Sequence, residues 1–279
     1  MPTSRLRRRG ISGISLLLAA LVGLGLYLAF RHVAPLLQGS DCTAAGGGQQ
    51  ITLGTGQAGI AATIAGVAQR DALPARAVTV AYAAALQESK LQNLPYGDRD
   101  SVGVFQQRPS EGWGPRSDLE NPVYATSKFF GALAKVPGYL RMPISQAAQA
   151  VQHSADGQAY ARFQPQATHM TAAFTGQEPH AVWCWYTPAI TGTARVRAAS
   201  LELAQTFGTR SRPTADPGLI VKVGSVRQGW AVATWLVAHA QQLRIADVRY
   251  AGYRWTAATG ARGWTRTVSP APPRIVEVG

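Results

Sequence analysis

The chain has 279 residues and 46% hydrophobic content, enough for one substantial core and a smaller second unit. Twenty-seven basic against fourteen acidic residues give a net charge of +13, which favours polyanionic partners: nucleic acid, anionic lipid or the phosphate-rich polymers of a bacterial wall. The sequence contains no zinc-finger, helix-turn-helix or RNA-recognition motif, so nucleic acid is the least favoured of the three.

The N-terminus combines a basic tail with an apolar run. Four arginines lie within residues 1–10, and Ile11–Phe30 carries no charge. Twenty helical residues span a hydrocarbon layer of ~30 Å, so a single transmembrane helix is predicted over residues 11–31. The positive-inside rule then places the tail in the cytosol and the bulk of the chain outside the cell membrane. The alternative is a cleaved signal peptide, whose apolar region is usually shorter, ~7–15 residues.

The two cysteines, Cys42 and Cys184, bracket the middle of the chain. They form no C-x-x-C pair, and no metal or other cofactor is expected. Outside the cell, two such cysteines are predicted to pair in a disulfide that marks the edges of one domain. Two separate buried thiols are the alternative.

Composition divides the external part into four segments. Residues 32–50, with Pro35, Gly39 and the AAGGGQQ stretch, have little to bury and are predicted to be a stalk. Residues 51–192 show mostly helical patterns, residues 193–217 are predicted to be a linker, and residues 218–279 combine a helix with short strands. The predicted helices of the second segment are 58–70, 75–88, 121–135, 145–153 and 159–175.

The C-terminal unit is strongly basic. Residues 210–279 hold ten Lys or Arg against three acidic residues. We expect this unit to bind anionic wall polymer or lipid head groups in a salt-dependent manner.

The helix predicted over residues 75–88 ends in a glutamate, Glu88. Ala77, Ala81 and Ala84 share its face at helical spacing. A carboxylate on an apolar stripe is costly to ionise, and the negative end of the helix dipole adds to that cost. Both effects favour the protonated form that a general acid requires. A solvated or salt-bridged glutamate at a helix end is the alternative on spacing alone.

The segment that follows resembles the lysozyme-like superfamily, specifically soluble lytic transglycosylases and goose-type lysozymes. Glu88-Ser89 matches the Glu-Ser that ends their catalytic helix, and Gly103-Val104-Phe105-Gln106 matches the following Gly-Leu-Met-Gln loop. The stretch 84–114 is similar to an actinobacterial branch of secreted and membrane-anchored proteins. The resemblance covers roughly residues 50–185. It implies a mainly α fold: a lysozyme-like helical domain after the transmembrane helix, with a small C-terminal α/β domain.

The resemblance also implies roles for individual residues. Glu88 would be the single catalytic acid and base, and Ser89 would orient it or the substrate. Gln106 and Gln107 would contact sugar substituents, and the backbone at Gly103 would form the cleft floor.

A third family motif, usually Ala-Tyr-Asn-Ala-Gly, is expected near Ala150–Ser154, which reads AVQHS. Tyrosine and asparagine are both absent there, and Tyr160 is the candidate to supply the missing hydroxyl. Tyr96 and Trp113 flank the second motif and are candidates to stack on sugar faces. Packing of the loop is the alternative for both.

Two aspartates, Asp98 and Asp100, follow Glu88 by ten and twelve residues. If either lies ~5–9 Å from Glu88 it can act as a second carboxylate in lysozyme-like hydrolysis. The alternative is turn chemistry, since Gly-Asp-Arg-Asp-Ser is rich in residues that bond their own backbone.

These observations predict a membrane-anchored enzyme that cleaves peptidoglycan glycan strands, by transglycosylation or hydrolysis. The second hypothesis is a catalytically weak wall-binding or scaffolding protein, which the AVQHS segment and the basic C-terminal unit motivate. Either could belong to a secretion or conjugation machine.

Overall fold

The computed structural model describes residues 20–25, 27, 39–154, 158–214 and 218–279. The chain divides into two compact units, Met1–Gly39 and Ser40–Gly279. The transmembrane helix predicted over residues 11–31 lies outside the described residues except for residues 20–25 and 27, which are helical. Within the described part, no helix is both long enough and apolar enough to cross a membrane.

Over the residues that the structure describes, the fold is mixed, with 47% helix, 17% strand and two sheets. Helices predominate as expected, but strands make up more of the fold than the predicted mainly α class implies. The helices are α1 (Thr55–Arg70), α2 (Ala75–Glu88), α3 (Arg116–Leu119), α4 (Pro122–Leu133), α5 (Ile144–Gln152), α6 (Gln164–Phe174), α7 (Val196–Phe207), α8 (Val226–Ala238) and α9 (Ala240–Leu243). The strands are β1 (Asp41–Gly46), β2 (Gln49–Gly54), β3 (Val182–Trp185), β4 (Ser211–Pro213), β5 (Leu219–Lys222), β6 (Asp247–Tyr250), β7 (Tyr253–Thr256), β8 (Thr265–Arg266) and β9 (Ile275–Val278).

A three-stranded antiparallel sheet, with strand order β2-β1-β3, opens the unit. Residues 41–50, expected to belong to a stalk, instead form β1 and the start of β2. Gly47 and Gly48 connect these strands with φ values of 57° and 77°. Two consecutive positive φ values are what a tight two-residue hairpin turn requires, so the glycines that suggested a flexible stalk form a turn.

The predicted disulfide is confirmed. Cys42 on β1 and Cys184 on β3 face each other in register and are joined at 2.02 Å between sulfurs. Both residues are fully buried. The bridge closes a sequence separation of 142 residues, which contains α1 to α6.

The second sheet has six antiparallel strands in the order β4-β5-β9-β6-β7-β8, and α8 packs against it. Trp230, Trp235 and Trp255 are buried in this part of the chain. The indole nitrogen of Trp235 donates to the Thr63 hydroxyl at 3.3 Å and so joins α8 to α1. His239 stacks on Trp235, and burial lowers the pKa of His239 to about 4.

Residues 193–217, expected to be a linker, contain α7 and β4. Leu203 and Phe207 of α7 are buried, and the helix packs on α1. The TRSRPTADPG stretch indicated a linker by composition, but β4 within it pairs with β5.

Helix α2 lies at the centre of the helical part. Every residue from Ala77 to Leu86 is buried, with α1, α5 and α6 packed around the helix. Its many alanines allow close approach on all sides. The side chain of Tyr82 spans to α1, where its hydroxyl donates to the Ala61 carbonyl at 2.7 Å. The one-sided apolar stripe predicted from spacing is therefore part of a helix that is buried all round.

We expect removal of the disulfide to destabilise the protein strongly. A double Cys42→Ala, Cys184→Ala variant should lose about 4–5 kcal/mol of unfolding free energy on the chain-entropy model, because the unfolded chain regains its freedom. Guanidinium denaturation of the full-length protein measures this change. The reduced wild type is the control and should match the variant; unchanged midpoints for both would contradict the prediction.

Candidate functional site

Glu88 is the last residue of α2 and lies where the helix emerges from the core. Its side chain is partly exposed, whereas the preceding Leu86 is buried. The hydroxyl of Tyr160 donates a hydrogen bond of 2.6 Å to Glu88 Oε1. Tyr160 is itself fully buried, so it orients the carboxyl group from the protein side. One carboxyl oxygen is therefore fixed by the protein while the group as a whole reaches the surface.

Ser89 connects the end of α2 to the following loop. Its hydroxyl donates to the Val104 carbonyl at 2.7 Å and accepts a bond from the Gln92 amide at 3.1 Å. Ser89 is only 4% exposed. The geometry gives Ser89 the role of holding the loop next to Glu88 from inside the protein, which is neither of its two predicted roles.

The backbone after Ser89 is strained. Lys90 and Leu91 have φ values of 57° and 58°, a left-handed conformation that costs non-glycine residues about 1–2 kcal/mol each. Gln57 from the start of α1 donates to the Lys90 carbonyl at 2.8 Å and helps hold this turn. Strain of this kind is often found at functional sites.

The backbone at position 103 requires a glycine. Its φ is +78°, and a Cβ there would lie 2.4 Å from the Leu119 carbonyl oxygen. Its amide donates to the Leu94 carbonyl at 2.7 Å, which pairs the two sides of the loop. Gly103 is buried and supports the loop surface from beneath.

Gln106 and Gln107, both predicted to contact sugar, point in different directions. The Gln106 amide nitrogen donates to the carbonyls of Tyr96 and Gly103 at 3.2 and 3.3 Å, and its side chain is partly exposed. Gln107 is 2% exposed and donates to the Ala125 carbonyl at 3.3 Å. The left-handed backbone at Gln106, with φ 48°, turns the next side chain inward. Gln107 therefore pins the loop to α4 and does not face the surface.

Asp100 belongs to the loop's own structure. Its carboxylate accepts bonds from the Ser110 amide at 2.8 Å and from Arg108 Nε at 2.9 Å. The Ser110 amide is the main cause that lowers the pKa of Asp100 to about 2, followed by the Arg108 and Ser110 side chains. Asp98 is 91% exposed and lies 3.9 Å from Arg99. No hydrogen bond or ion pair between described residues joins either aspartate to Glu88.

The two predicted stacking residues differ in exposure. Tyr96 is 68% exposed beside the loop. Trp113 is partly buried, packs against the core and lines a groove of about 710 Å³ together with residues of α4 and the end of α5. Among the described residues, no group of three or more His, Cys, Asp or Glu is placed to hold a metal ion.

Gln152 is a site residue that the sequence analysis missed. It lies in the AVQHS segment, and its amide nitrogen donates to the Phe105 carbonyl at 2.8 Å. Arg162 similarly donates to the Gln87 side chain at 2.7 Å. Gln152 is the third residue of AVQHS, where the family motif has asparagine. A polar side chain at that position is the signal that could have identified it. Both hydrogen bonds are donated by side chains outside α2 and hold residues near Glu88 in place.

Acidic side chains neutralise part of the positive charge on the C-terminal sheet. By strand register, Arg212, Arg249 and Arg254 fall in one row across the sheet, with Glu277 between the first two. Asp247 forms ion pairs with both Arg249 and Arg254. Binding of anionic polymer or lipid by this unit stays a prediction.

The sequence matches no protein-family model, and no curated protein matches it. The function therefore has to be argued from the residues around Glu88.

We expect Gly103→Ala to destabilise the protein by about 3 kcal/mol or more, because it combines a positive φ with a collision against the Leu119 carbonyl. Gly112→Ala is the matched control: Gly112 has φ +82° but open space where a Cβ would lie. It should cost only about 1–2 kcal/mol. Urea denaturation of both variants gives the comparison, and equal losses would contradict the role assigned to the Leu119 contact.

We expect Asp100→Asn to loosen the loop 98–111, measured as faster amide hydrogen exchange there. The lowered pKa of Asp100 means that its ionised form stabilises the fold. That contribution is present above the ordinary value of 3.8 and is lost as the pH falls toward about 2. The difference in amide exchange rate between the variant and the wild type should therefore disappear as the pH falls from 3.8 to about 2. Asp98→Asn, which removes only an exposed charge, should leave the exchange unchanged; an equal effect from both variants would refute the assignment.

Proposed function

We propose that the protein is an extracytoplasmic, membrane-anchored peptidoglycan-cleaving enzyme that uses Glu88 as its single general acid and base. The observation that carries the proposal is the Glu88 carboxyl group. It ends a buried helix, is oriented by the buried Tyr160 hydroxyl at 2.6 Å, and still reaches the surface.

The surroundings of Glu88 support this proposal. Ser89 ties the Gly103–Gln106 loop to the same helix end through the Val104 carbonyl, and Gln152 holds that loop from α5. Such fixing from several sides preorganises a catalytic group. The Glu-Ser and Gly-Val-Phe-Gln motifs, whose resemblance to lytic transglycosylases and goose-type lysozymes suggested the activity, are thus in contact with each other.

The first chemical step is acid catalysis. The Tyr160 hydroxyl is hydrogen-bonded to Oε1 of Glu88, so the acidic proton of Glu88 is carried on Oε2. This proton passes to the glycosidic oxygen between N-acetylmuramic acid and N-acetylglucosamine. The bond from muramyl C1 to that oxygen breaks, and the N-acetylglucosamine side leaves with a hydroxyl group. Glu88 is left as a carboxylate facing the positive charge that develops at C1.

The second step returns the proton. The Glu88 carboxylate accepts the proton of the muramyl 6-hydroxyl as O6 bonds to C1, which forms a 1,6-anhydro end and regenerates the acid. If water attacks C1 in place of O6, the product is an ordinary reducing end. We favour the intramolecular route, because the Asp100 carboxylate is occupied by Arg108 and Ser110 and the Asp98 carboxylate is 91% exposed beside Arg99.

The location is proposed on the basis of the sequence and the disulfide. The arginine tail and the apolar run favour an anchor with the rest of the chain outside. The buried Cys42–Cys184 bridge fits an oxidising exterior, where disulfides persist. The substrate, a wall polymer, is found on that side of the membrane.

The test is incubation of the full-length protein with purified peptidoglycan and mass spectrometry of the soluble products. We expect anhydro-muropeptides, each lighter by one water than the hydrolytic product. Glu88→Gln should lower their release by roughly a hundred- to ten-thousand-fold, because the amide cannot transfer a proton.

Two further variants complete this experiment. Glu277→Gln, on the C-terminal sheet, is the matched control and should release products at the wild-type rate. Tyr160→Phe should lower kcat with little change in KM, as expected for a positioning residue. Wild-type release that survives Glu88→Gln would contradict the mechanism, and binding without any release would favour the wall-binding alternative.

A further inference from the structure

We infer that the groove beside Trp113 binds the anionic peptide stem of the muramyl residue and so selects peptidoglycan over bare glycan. The inference rests on the proposed function, since a muramyl substrate is what would bring such a peptide next to Glu88. It concerns substrate selection, which the Glu88 mechanism leaves open.

The groove has the size of a ligand site. Its volume is about 710 Å³, within the ~300–1,000 Å³ typical of binding pockets. Its lining residues come from the chain after the loop, from α4 and the turn that follows it, and from the end of α5. They are Gly112, Trp113, Ser127, Lys128, Gly131, Ala132, Lys135, Val136, Pro137, Ala150, Val151 and His153.

The charge of this lining is entirely basic. Lys128 lies on α4 and Lys135 in the turn that follows this helix, and His153 lines the groove from the end of α5. The lining includes no Asp or Glu. In the described part of the chain, no carboxylate lies within ion-pair distance of either lysine. The Lys128 ammonium lies 5.2 Å from the centre of the Tyr124 ring, which holds the cation without neutralising it. A groove of this character favours carboxylates or phosphates.

The groove is joined to the loop that borders Glu88. Gln152, between two lining residues of α5, donates to the Phe105 carbonyl. The Phe105 ring stacks on Phe129 of α4 at 4.5 Å between centroids. The loop that Ser89 ties to the end of α2 is therefore also held to α4 and to the end of α5, the two helices that line the groove.

The chemistry of the substrate supplies a matching ligand. The glycan backbone carries no charge, whereas the peptide stem begins on muramic acid O3, close to the bond that is cleaved, and bears free carboxylates. Trp113, which also lines the groove, offers an apolar ring to the stem. Carboxylates of the stem are thus the group that we assign to Lys128 and Lys135.

Gly131 makes the groove testable by steric block. It is exposed on α4 and lies between the two lysines, and a Cβ there would meet nothing within 4 Å. A large side chain at this position fills the groove without entering the core. Replacement of a helical glycine also tends to favour the helix, so the variant is expected to fold.

The experiment compares cleavage rates of the full-length protein on two substrates: peptidoglycan with intact stems, and the same glycan after enzymatic removal of the stems. The double variant Lys128→Gln, Lys135→Gln and the variant Gly131→Phe should each raise KM about tenfold on the stem-bearing substrate. Neither should change KM on the stripped glycan. Arg197→Gln and Ala134→Phe, an exposed basic residue of α7 and an exposed residue just after α4, are the matched controls outside the groove and should behave as wild type.

Three results would overturn the inference. Equal increases in KM on both substrates would mean that the groove binds the glycan itself. An unchanged KM on both would mean that the groove binds no part of the substrate. A third arm uses peptidoglycan stripped of its phosphate polymers: if the effect of the variants disappears there, the ligand is a phosphate and not the stem.

Failure of the proposed function can be told apart from failure of this inference. If the wild type cleaves nothing, the function fails, and the groove is tested by calorimetry with a soluble muramyl peptide and its amidated form. Tighter binding of the free carboxylates that is lost in the lysine double variant supports the groove assignment. Equal affinity for the two ligands refutes it.

Discussion

The structure depends on one constraint: helix α2 is buried on all sides until its last turn. Alanines let the surrounding helices approach closely, and the continuous burial from Ala77 to Leu86 leaves the helix no freedom to rotate or slide. Glu88 is placed at the point where this buried helix reaches the surface. The position of the carboxyl group is therefore set by core packing and not by a flexible loop.

The site around Glu88 is assembled from segments far apart in the chain. Tyr160 orients the carboxyl group from 72 residues away, and Ser89 and Gln152 hold the loop from two different helices. Each of these side chains forms its bond to the Glu88 carboxyl group itself or to the loop beside it. Under the proposed function, a change in any of them is expected to alter the rate of cleavage without touching substrate. This arrangement explains why buried residues dominate the site.

The parts that could be predicted from sequence have local causes. Helix α2 begins at Ala75 and ends at Glu88, as the pattern indicated, and an oxidising exterior favoured pairing of Cys42 with Cys184. The parts that could not be predicted from sequence depend on contacts between distant residues. The Gly-rich stretch at 46–48 indicates a flexible stalk by composition, but it closes the β1–β2 hairpin, and β3 from far along the chain completes this sheet by pairing with β1. The inward turn of Gln107 depends on the left-handed backbone at Gln106, which no residue type at that position signals.

The most direct test is a crystal structure of the Glu88→Gln variant with a bound oligomer of alternating N-acetylglucosamine and N-acetylmuramyl peptide. The account predicts that a glycosidic oxygen lies within hydrogen-bond distance, about 3 Å, of the residue 88 side chain. It also predicts that the adjoining stem lies along Lys128 and Lys135. An oligomer bound away from residue 88, with that side chain facing no sugar oxygen, would contradict it.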